Sequence, residues 1–241
     1  MISLLCPSRE RPDLARKMAE SALSTCSAPT NIEILFYVDH DDPKQDDYFR
    51  VFHDLVFMKR VLILSETDSI AVKSVGEAWN KLAYYSIGDY LYMMNDDIVF
   101  QTTNWDLTLV SEHQRVFFDN IGVIFADDGI NQGRHCAFPL VSRLWYEILG
   151  YFTPECFEFM AHDTYIFDIA KRVDRVHYCP DVFVQHKHWT ITKVKDATTK
   201  RHRDDTNNTR IPKDLRTFEE TAYLREKDAA KLLSYIKGLK N

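Results

Sequence analysis

Glycine is scarce, at seven of 241 residues, and no Pro-, Ser- or Gly-rich stretch interrupts the middle of the chain, so no segment reads as an inter-domain linker. No Cys-x-x-Cys pair occurs. The five cysteines, Cys6, Cys26, Cys136, Cys156 and Cys179, are odd in number, widely spaced and mostly set in apolar runs, which suits reduced thiols in a cytosolic compartment. The chain runs from Met1 straight into a strand-like Ile2 to Cys6, without the charged start and apolar stretch of a signal peptide. No apolar run is long enough to span a bilayer. The absence of a fixed-period repeat and of low-complexity tracts argues against solenoids, propellers and disordered assemblies. Positive charge is in deficit overall: the net charge of -6 disfavours a general nucleic-acid binder. The exception is local, because His186 to Arg216 carries nine Lys or Arg against four Asp, a stretch suited to an anionic partner.

What is present is a large apolar content, 45% of positions with 13% aromatic, enough for one sizeable α/β core or two small domains, of which one is expected. Strand-like and helical periods alternate from the start, the pattern of a mainly parallel central sheet with helices on both faces in a single domain. Strand Ser3 to Cys6 ends in the turn Pro7-Ser8-Arg9-Glu10-Arg11, and Pro12 suits the first turn of a helix whose Leu14, Met18, Ala22 and Cys26 recur on one face. The run Ile32 to Val38 is apolar but for Glu33, as in a strand buried on both sides, and ends at Asp39. A helix Gln45 to Met58, a strand Val61 to Leu64, a helix Val72 to Ser86 and a strand Tyr90 to Met94 follow, the last stopping at Asn95-Asp96-Asp97. Beyond them the pattern gives a helix Trp105 to Phe118, a strand Gly122 to Phe125, a polar loop Ala126 to Pro139 and helices Val141 to Leu149 and His162 to Arg172. A strand pair near Val176 to Tyr178 and Val182 to Gln185, a basic loop Lys193 to Arg216 and a final helix complete the chain, with Thr217 and Glu220 as a capping box.

In open α/β sheets ligands bind beyond the carboxyl ends of the strands, which singles out Ser8, Arg9 and Arg11, then Asp39, then Asn95-Asp96-Asp97. Two adjacent carboxylates at a strand end concentrate negative charge that is costly unless solvated or neutralised by a cation. Mg²⁺ and its chemical relatives bind through one or two protein carboxylates when a substrate diphosphate supplies further oxygens. The plainer reading of the tripeptide is a turn, since Asn and Asp are favoured there.

Leu4-Leu5-Cys6-Pro7-Ser8-Arg9, Phe36-Tyr37-Val38-Asp39, Gly76-Glu77-Ala78-Trp79-Asn80 and Tyr92-Met93-Met94-Asn95-Asp96-Asp97 resemble, in order and spacing, the nucleotide-sugar motifs of GT-A glycosyltransferases, especially family 2. The resemblance implies a Rossmann-like GT-A domain over residues 1–216, with a nucleotide-sugar-binding half (1–100) and an acceptor-binding half (101–216), followed by a C-terminal helix (217–241). It implies that Pro7, Ser8, Arg9, Arg11 and Asp39 hold the nucleoside, that Asn80 lines the donor pocket, and that Asn95, Asp96 and Asp97 form the D-x-D-like element. Asn95 stands where the family has its first acid, which leaves Asp97 as the metal ligand and Asp96 as its helper. Leu149 to Pro154 followed by His162-Asp163 is similar to the stretch that ends in the family's Glu-Asp pair, so Asp163 is implied as general base, at a helix N-terminus that stabilises a carboxylate. Val182 to His186 resembles the late strand that returns a histidine to the metal, with His188 as the alternative ligand. Imidazole suits Mn²⁺ better than Mg²⁺.

The expected activity is a metal-dependent transfer of a sugar from a nucleotide diphosphate-sugar to an acceptor hydroxyl, with inversion, by a cytoplasmic enzyme of a bacterium or of a virus-infected cell. Rival expectations are a transferase acting on hydroxymethylated bases of viral DNA, a non-catalytic nucleotide-binding protein signalled by Asn95 and His162, and a nucleotidyltransferase. The last normally has a Gly-rich phosphate loop, and Pro7 to Arg11 lacks glycine.

Overall fold

A computed structural model describes residues 1–57, 61–65, 72–194, 200 and 210–239. Strand β1 (Ile2–Ser8) lies between β2 (Ile32–Val38) and β4 (Tyr90–Met93), parallel to both, and β3 (Val61–Leu64) extends the parallel half beyond β2. On the other side of β4 come β7 (Leu140–Ser142), β6 (Val123–Asp127), β8 (Val176–His186) and β5 (Ile98–Phe100), giving one eight-stranded sheet in the order β3-β2-β1-β4-β7-β6-β8-β5. Among the described strands, only β7 and β5 run against the rest. The carboxyl ends of β1, β2, β4, β6 and β8 therefore share one edge.

Side chains alternate between two apolar layers, as the period of two along a strand requires. Ile2, Leu4, Cys6, Ile34, Phe36, Val38, Tyr90 and Tyr92 face one layer, closed by α1 (Pro12–Thr25), α2 (Gln45–Phe57) and α4 (Trp105–Val116). Leu5, Leu35, Tyr37, Leu91 and Met93 face the other, closed by α3 (Val75–Tyr85), α5 (Arg143–Leu149), α6 (His162–Arg172) and, from the C-terminal segment, the long helix Ala222–Gly238. Local chemistry starts these helices where the sequence permits. Pro12 opens α1, the Ser74 hydroxyl accepts the Glu77 amide at the start of α3 at 3.1 Å, and Ser142 does the same for Trp145 at the start of α5. Gly150 ends α5 at φ 87°, a left-handed conformation that favours glycine.

Several expectations are corrected. The face that α1 buries is Ala15, Met18, Ala19 and Ala22, with Leu14 only half-buried. Strands β5 and β7 were not anticipated; β7 occupies what reads as the first turn of a helix from Val141. The two short strands near Val176 and Val182 are one strand, β8, whose register to β6 jumps from Ala126↔Cys179 to Asp127↔Phe183, so that residues 180–182 bulge past a single step of the partner. Helix α7 (Trp189–Thr192) follows β8. Of the basic stretch, residues 195–199 and 201–209 lie outside the described residues, and Arg210–Glu220 is a helix, α8, rather than a loop. Thr217 is inside α8, so it caps nothing. The final helix, α9 (Ala222–Gly238), begins after Thr221, whose side chain makes no capping bond. Among the described residues no disulfide joins any of the five cysteines, and no helix is long and apolar enough to cross a membrane.

Candidate functional site

At the shared edge, the turn after β1 and the turn after β4 are tied together. The Ser8 hydroxyl donates to Asp96 Oδ2 at 2.6 Å and lies 2.7 Å from the Tyr48 hydroxyl, while Arg11 reaches Asp96 Oδ1 at 2.8 Å. Burial, with Asp97 adding to it, pushes the Asp96 carboxyl up to about 6, against the pull of Arg11 and Ser8. Asp96 is thus a buried brace between two loops, with both oxygens engaged by protein. Arg9 turns the other way and pairs Asp39 at 2.9 Å and Asp41 more closely, so the end of β2 is bound to the same turn. The Glu10 amide donates to Asp42 at 2.8 Å. Pro7 lies within β1 opposite Tyr37, and Asn95 is half-buried in the turn that follows Met94.

Asp97 meets His186 because β5 pairs antiparallel with β8 in the register Ile98↔His186. The Lys187 amide donates to the Asp97 carbonyl at 2.8 Å, and His186 Nε2 stands 3.4 Å from Asp97 Oδ1. The two are within ion-pair distance but poorly aligned, and both atoms are buried without a hydrogen bond among the described residues. Burial opposes ionisation of Asp97, yet His186, Arg11 and His188 outweigh it and hold the carboxyl below its usual range. A buried acceptor left unmade costs about 1–3 kcal/mol, more when charged. A carboxylate oxygen and an imidazole nitrogen facing each other in this way fit a divalent cation, which would satisfy both. Among the described residues no three His, Cys, Asp or Glu side chains enclose a metal by themselves, so the remaining ligands would be substrate oxygens and water. His188 lies past the end of β8, its ring 5.1 Å from that of His186.

Asp163 is in the first turn of α6 and touches His135, a residue of the β6–β7 loop that the sequence did not single out: Nε2 is 2.8 Å from Asp163 Oδ2. The same loop reaches the Asp97–His186 pair, since the His186 amide donates to the Asp128 carbonyl at 3.1 Å and the Phe138 ring is 5.0 Å from the His186 ring. Asp39, Asp97 and Asp163 therefore belong to one chain of contacts along the edge, through Arg9, the β1 turn, Asp96, His186 and the 128–138 loop.

Asn80 and His162 are both bonded to the loop before α6. Asn80 uses both ends of its amide on the loop before α6, accepting the Phe152 and Thr153 amides at 2.9 and 3.0 Å and donating to the Thr153 carbonyl at 2.9 Å. Its polar atoms thus anchor a loop. His162 is 2% exposed, bonded through Nδ1 to the Thr153 hydroxyl at 2.8 Å and packed under Gly76, where an added Cβ would meet its ring at 2.6 Å. Burial takes its pKa down to about 4, so it is a neutral core residue. Asp127-Asp128 is not singled out by the sequence reading either, although it ends a strand with two carboxylates as Asp96-Asp97 does. His135 and Tyr48 carry no such signal.

No family model matches the sequence, and neither does any curated protein. Solved structures do match. The mannosyltransferase PcManGT from Pyrobaculum calidifontis, in complex with GDP-Man and Mn²⁺, superposes with a TM-score of 0.64 at 12% identity, covering 98% of this chain and 75% of that one. S. aureus TarS 1-349 superposes at 0.56 with 11% identity over 76% of this chain, and similarly in its complexes with UDP and UDP-GlcNAc. That match spans 60% of the TarS 1-349 chain. With the sheet order, the helices on both faces and the loops gathered at one strand edge, the likeness shows that the chain has the GT-A glycosyltransferase fold.

Proposed function

We propose that the protein is a metal-dependent glycosyltransferase that moves a sugar from a nucleotide diphosphate-sugar to an acceptor hydroxyl, with inversion. The observation that carries this reading is the pair of buried, unbonded ligand atoms on Asp97 and His186 at the carboxyl edge of a GT-A sheet. The Mn²⁺ and GDP-Man of the mannosyltransferase neighbour and the UDP and UDP-GlcNAc of TarS 1-349 support it.

In this reading residues 1–100 hold the donor. The β1 turn and Asp39 receive the nucleoside, with Asp96 bracing Ser8 and Arg11 so that the turn keeps its shape. Asp97 and His186 would hold Mn²⁺ or Mg²⁺, which when bound supplies positive charge against the leaving diphosphate. Residues 101–216 present the acceptor through the 126–139 loop and the aromatic segment from Trp145 to Phe159. Removal of the acceptor proton depends on Asp163, and a single basic group opposite the leaving group gives in-line attack and inversion. The C-terminal helix α9 packs on the second apolar layer.

Thermal unfolding with UDP or GDP, each with and without Mn²⁺, tests the donor side: one diphosphate should stabilise the protein only when the metal is present. Asp97→Asn should remove that metal-dependent shift, and Asp97→Asn and Asp163→Asn should each lower release of the diphosphate from UDP-GlcNAc or GDP-mannose by about 10²-fold or more. Full turnover by both variants would overturn the assignment.

A further inference from the structure

Asp163 is poorly placed to take a proton itself. Its Oδ2 faces His135 Nε2, and its Oδ1 accepts the Thr164 amide at 2.7 Å and the Thr164 hydroxyl at 3.3 Å. Both oxygens of the carboxylate are thus engaged within the protein, which suits Asp163 to orienting a neighbour. His135 is the neighbour. Its loop is pinned near the metal pair at both ends, by the Asp128 carbonyl under the His186 amide and by Phe138 against the His186 ring. The start of the loop is rigid, because Asp128 Oδ1 accepts the Ile130 and Asn131 amides at 2.8 and 2.7 Å. Phe167 stands edge-on to the His135 ring, with centroids 5.7 Å apart. Both His135 and Asp163 keep 30% of their side chains open to solvent.

We infer that His135 is the group that receives the acceptor proton, and that Asp163 is the carboxylate that orients it. The inference rests on the transferase reading and moves Asp163 from proton acceptor to positioning residue. With Nε2–H donated to Asp163, the ring nitrogen left basic is Nδ1. In the step, the acceptor oxygen forms its bond to the anomeric carbon while the bond from that carbon to the diphosphate breaks, its electron pair leaving on the diphosphate. The hydroxyl proton passes to Nδ1, and the resulting imidazolium lies beside the Asp163 anion. The charged groups around His135 are Asp163, Asp128 and Lys171; the bond to Asp163 is the largest influence and the net effect raises the imidazole pKa.

The full-length protein, His135→Gln and Asp163→Asn are compared for release of UDP from UDP-GlcNAc and GDP from GDP-mannose with Mn²⁺, from about pH 5 to about pH 9. His135→Gln should lower turnover by about 10²–10⁴-fold, keep the diphosphate-dependent thermal shift of the wild type, and lose the acid limb of the profile. Asp163→Asn should lose less and move the acid limb to lower pH, because the anion that raises the imidazole pKa is gone. The inference is overturned if His135→Gln turns over within about threefold of wild type, or if it keeps the acid limb while Asp163→Asn abolishes it. Nitrogen-15 NMR of the imidazoles reads the pair without turnover: the neutral wild type should show His135 protonated on Nε2, and protonation on Nδ1 overturns the proposal. A wild type that shows the expected tautomer but neither binds nor turns over either donor overturns the transferase reading, and the base assignment with it.

Discussion

His113 and His162 are imidazoles that the fold keeps neutral. His113 is fully buried, its Nε2 3.2 Å from the Gly122 carbonyl, and burial outweighs that bond to bring its pKa, like that of His162, down to about 4. In the unfolded chain both titrate near their ordinary value, so the unfolded state takes up protons first as the pH falls. The stability they permit is therefore complete above about pH 6.5 and lost progressively toward pH 4, by about 2 kcal/mol for each at pH 5. Asp96, raised to about 6, acts in the opposite sense by about 1 kcal/mol over the same window, and the raised pKa of His135 has the same sign, but two imidazoles outweigh Asp96. Urea unfolding should give a lower stability at pH 5 than at pH 7. In His113→Gln that difference should shrink by about 2 kcal/mol. An unchanged difference would show that His113 is not the buried neutral group described above.

Among the elements, α8 has an importance out of proportion to its buried surface. Its Asp214 is 0% exposed and accepts three consecutive amides, from Glu158 at 2.9 Å and from Phe159 and Met160 at 2.7 Å. The Glu158 carbonyl in turn accepts the Val75 amide at 3.1 Å, so α3, α8 and the loop leading into α6 are joined at one point. Asp214→Ala would leave three amides without their acceptor, at a cost of about 3 kcal/mol or more. Amide hydrogen exchange at residues 158–160 should accelerate in that variant, with a smaller effect in Asp214→Asn, which keeps an acceptor oxygen. Exchange as slow as in the wild type would mean that α8 does not hold the loop. Nothing in the sequence announced this contact, because a lone acid in a basic stretch reads as solvated until the partner loop is seen. By contrast, α6 was legible to the residue, its apolar period running unbroken from His162 to Arg172.

For the molecule as a whole, legibility follows the length of the apolar runs. Strands β2 and β3 were readable end to end because each is an apolar run bounded by polar residues, broken in β2 only by Glu33, whereas β5 and β7, three residues each, show no period and depend on partners distant in sequence. The candidate site divides the same way. Carboxylates at the ends of long strands stood out, but the partner of Asp163 comes from an irregular loop where neither period nor spacing marks a histidine. The C-terminal helix α9 seals the second apolar layer: Leu232 and Ile236 are buried there, and Asp228 takes the Tyr165 hydroxyl at 2.9 Å as well as the Tyr151 hydroxyl. Leu232→Ala should cost about 2–5 kcal/mol in a single cooperative denaturant transition. If α9 instead unfolded in a separate, earlier step, it would not be part of that core.

The bulge in β8 acts as a counter. Between Cys179, which still keeps step with β6, and Phe183, which resumes it, the chain fits residues 180–182 into a single step of its neighbour. Side chains alternate from one face of a strand to the other, so the number of residues in that bulge decides whether the imidazole at the far end is presented to Asp97 or turned away. Lengthening or shortening it by an odd number would separate the two ligand atoms while leaving every apolar contact before Cys179 in place, and an even change would bring them back to the same side.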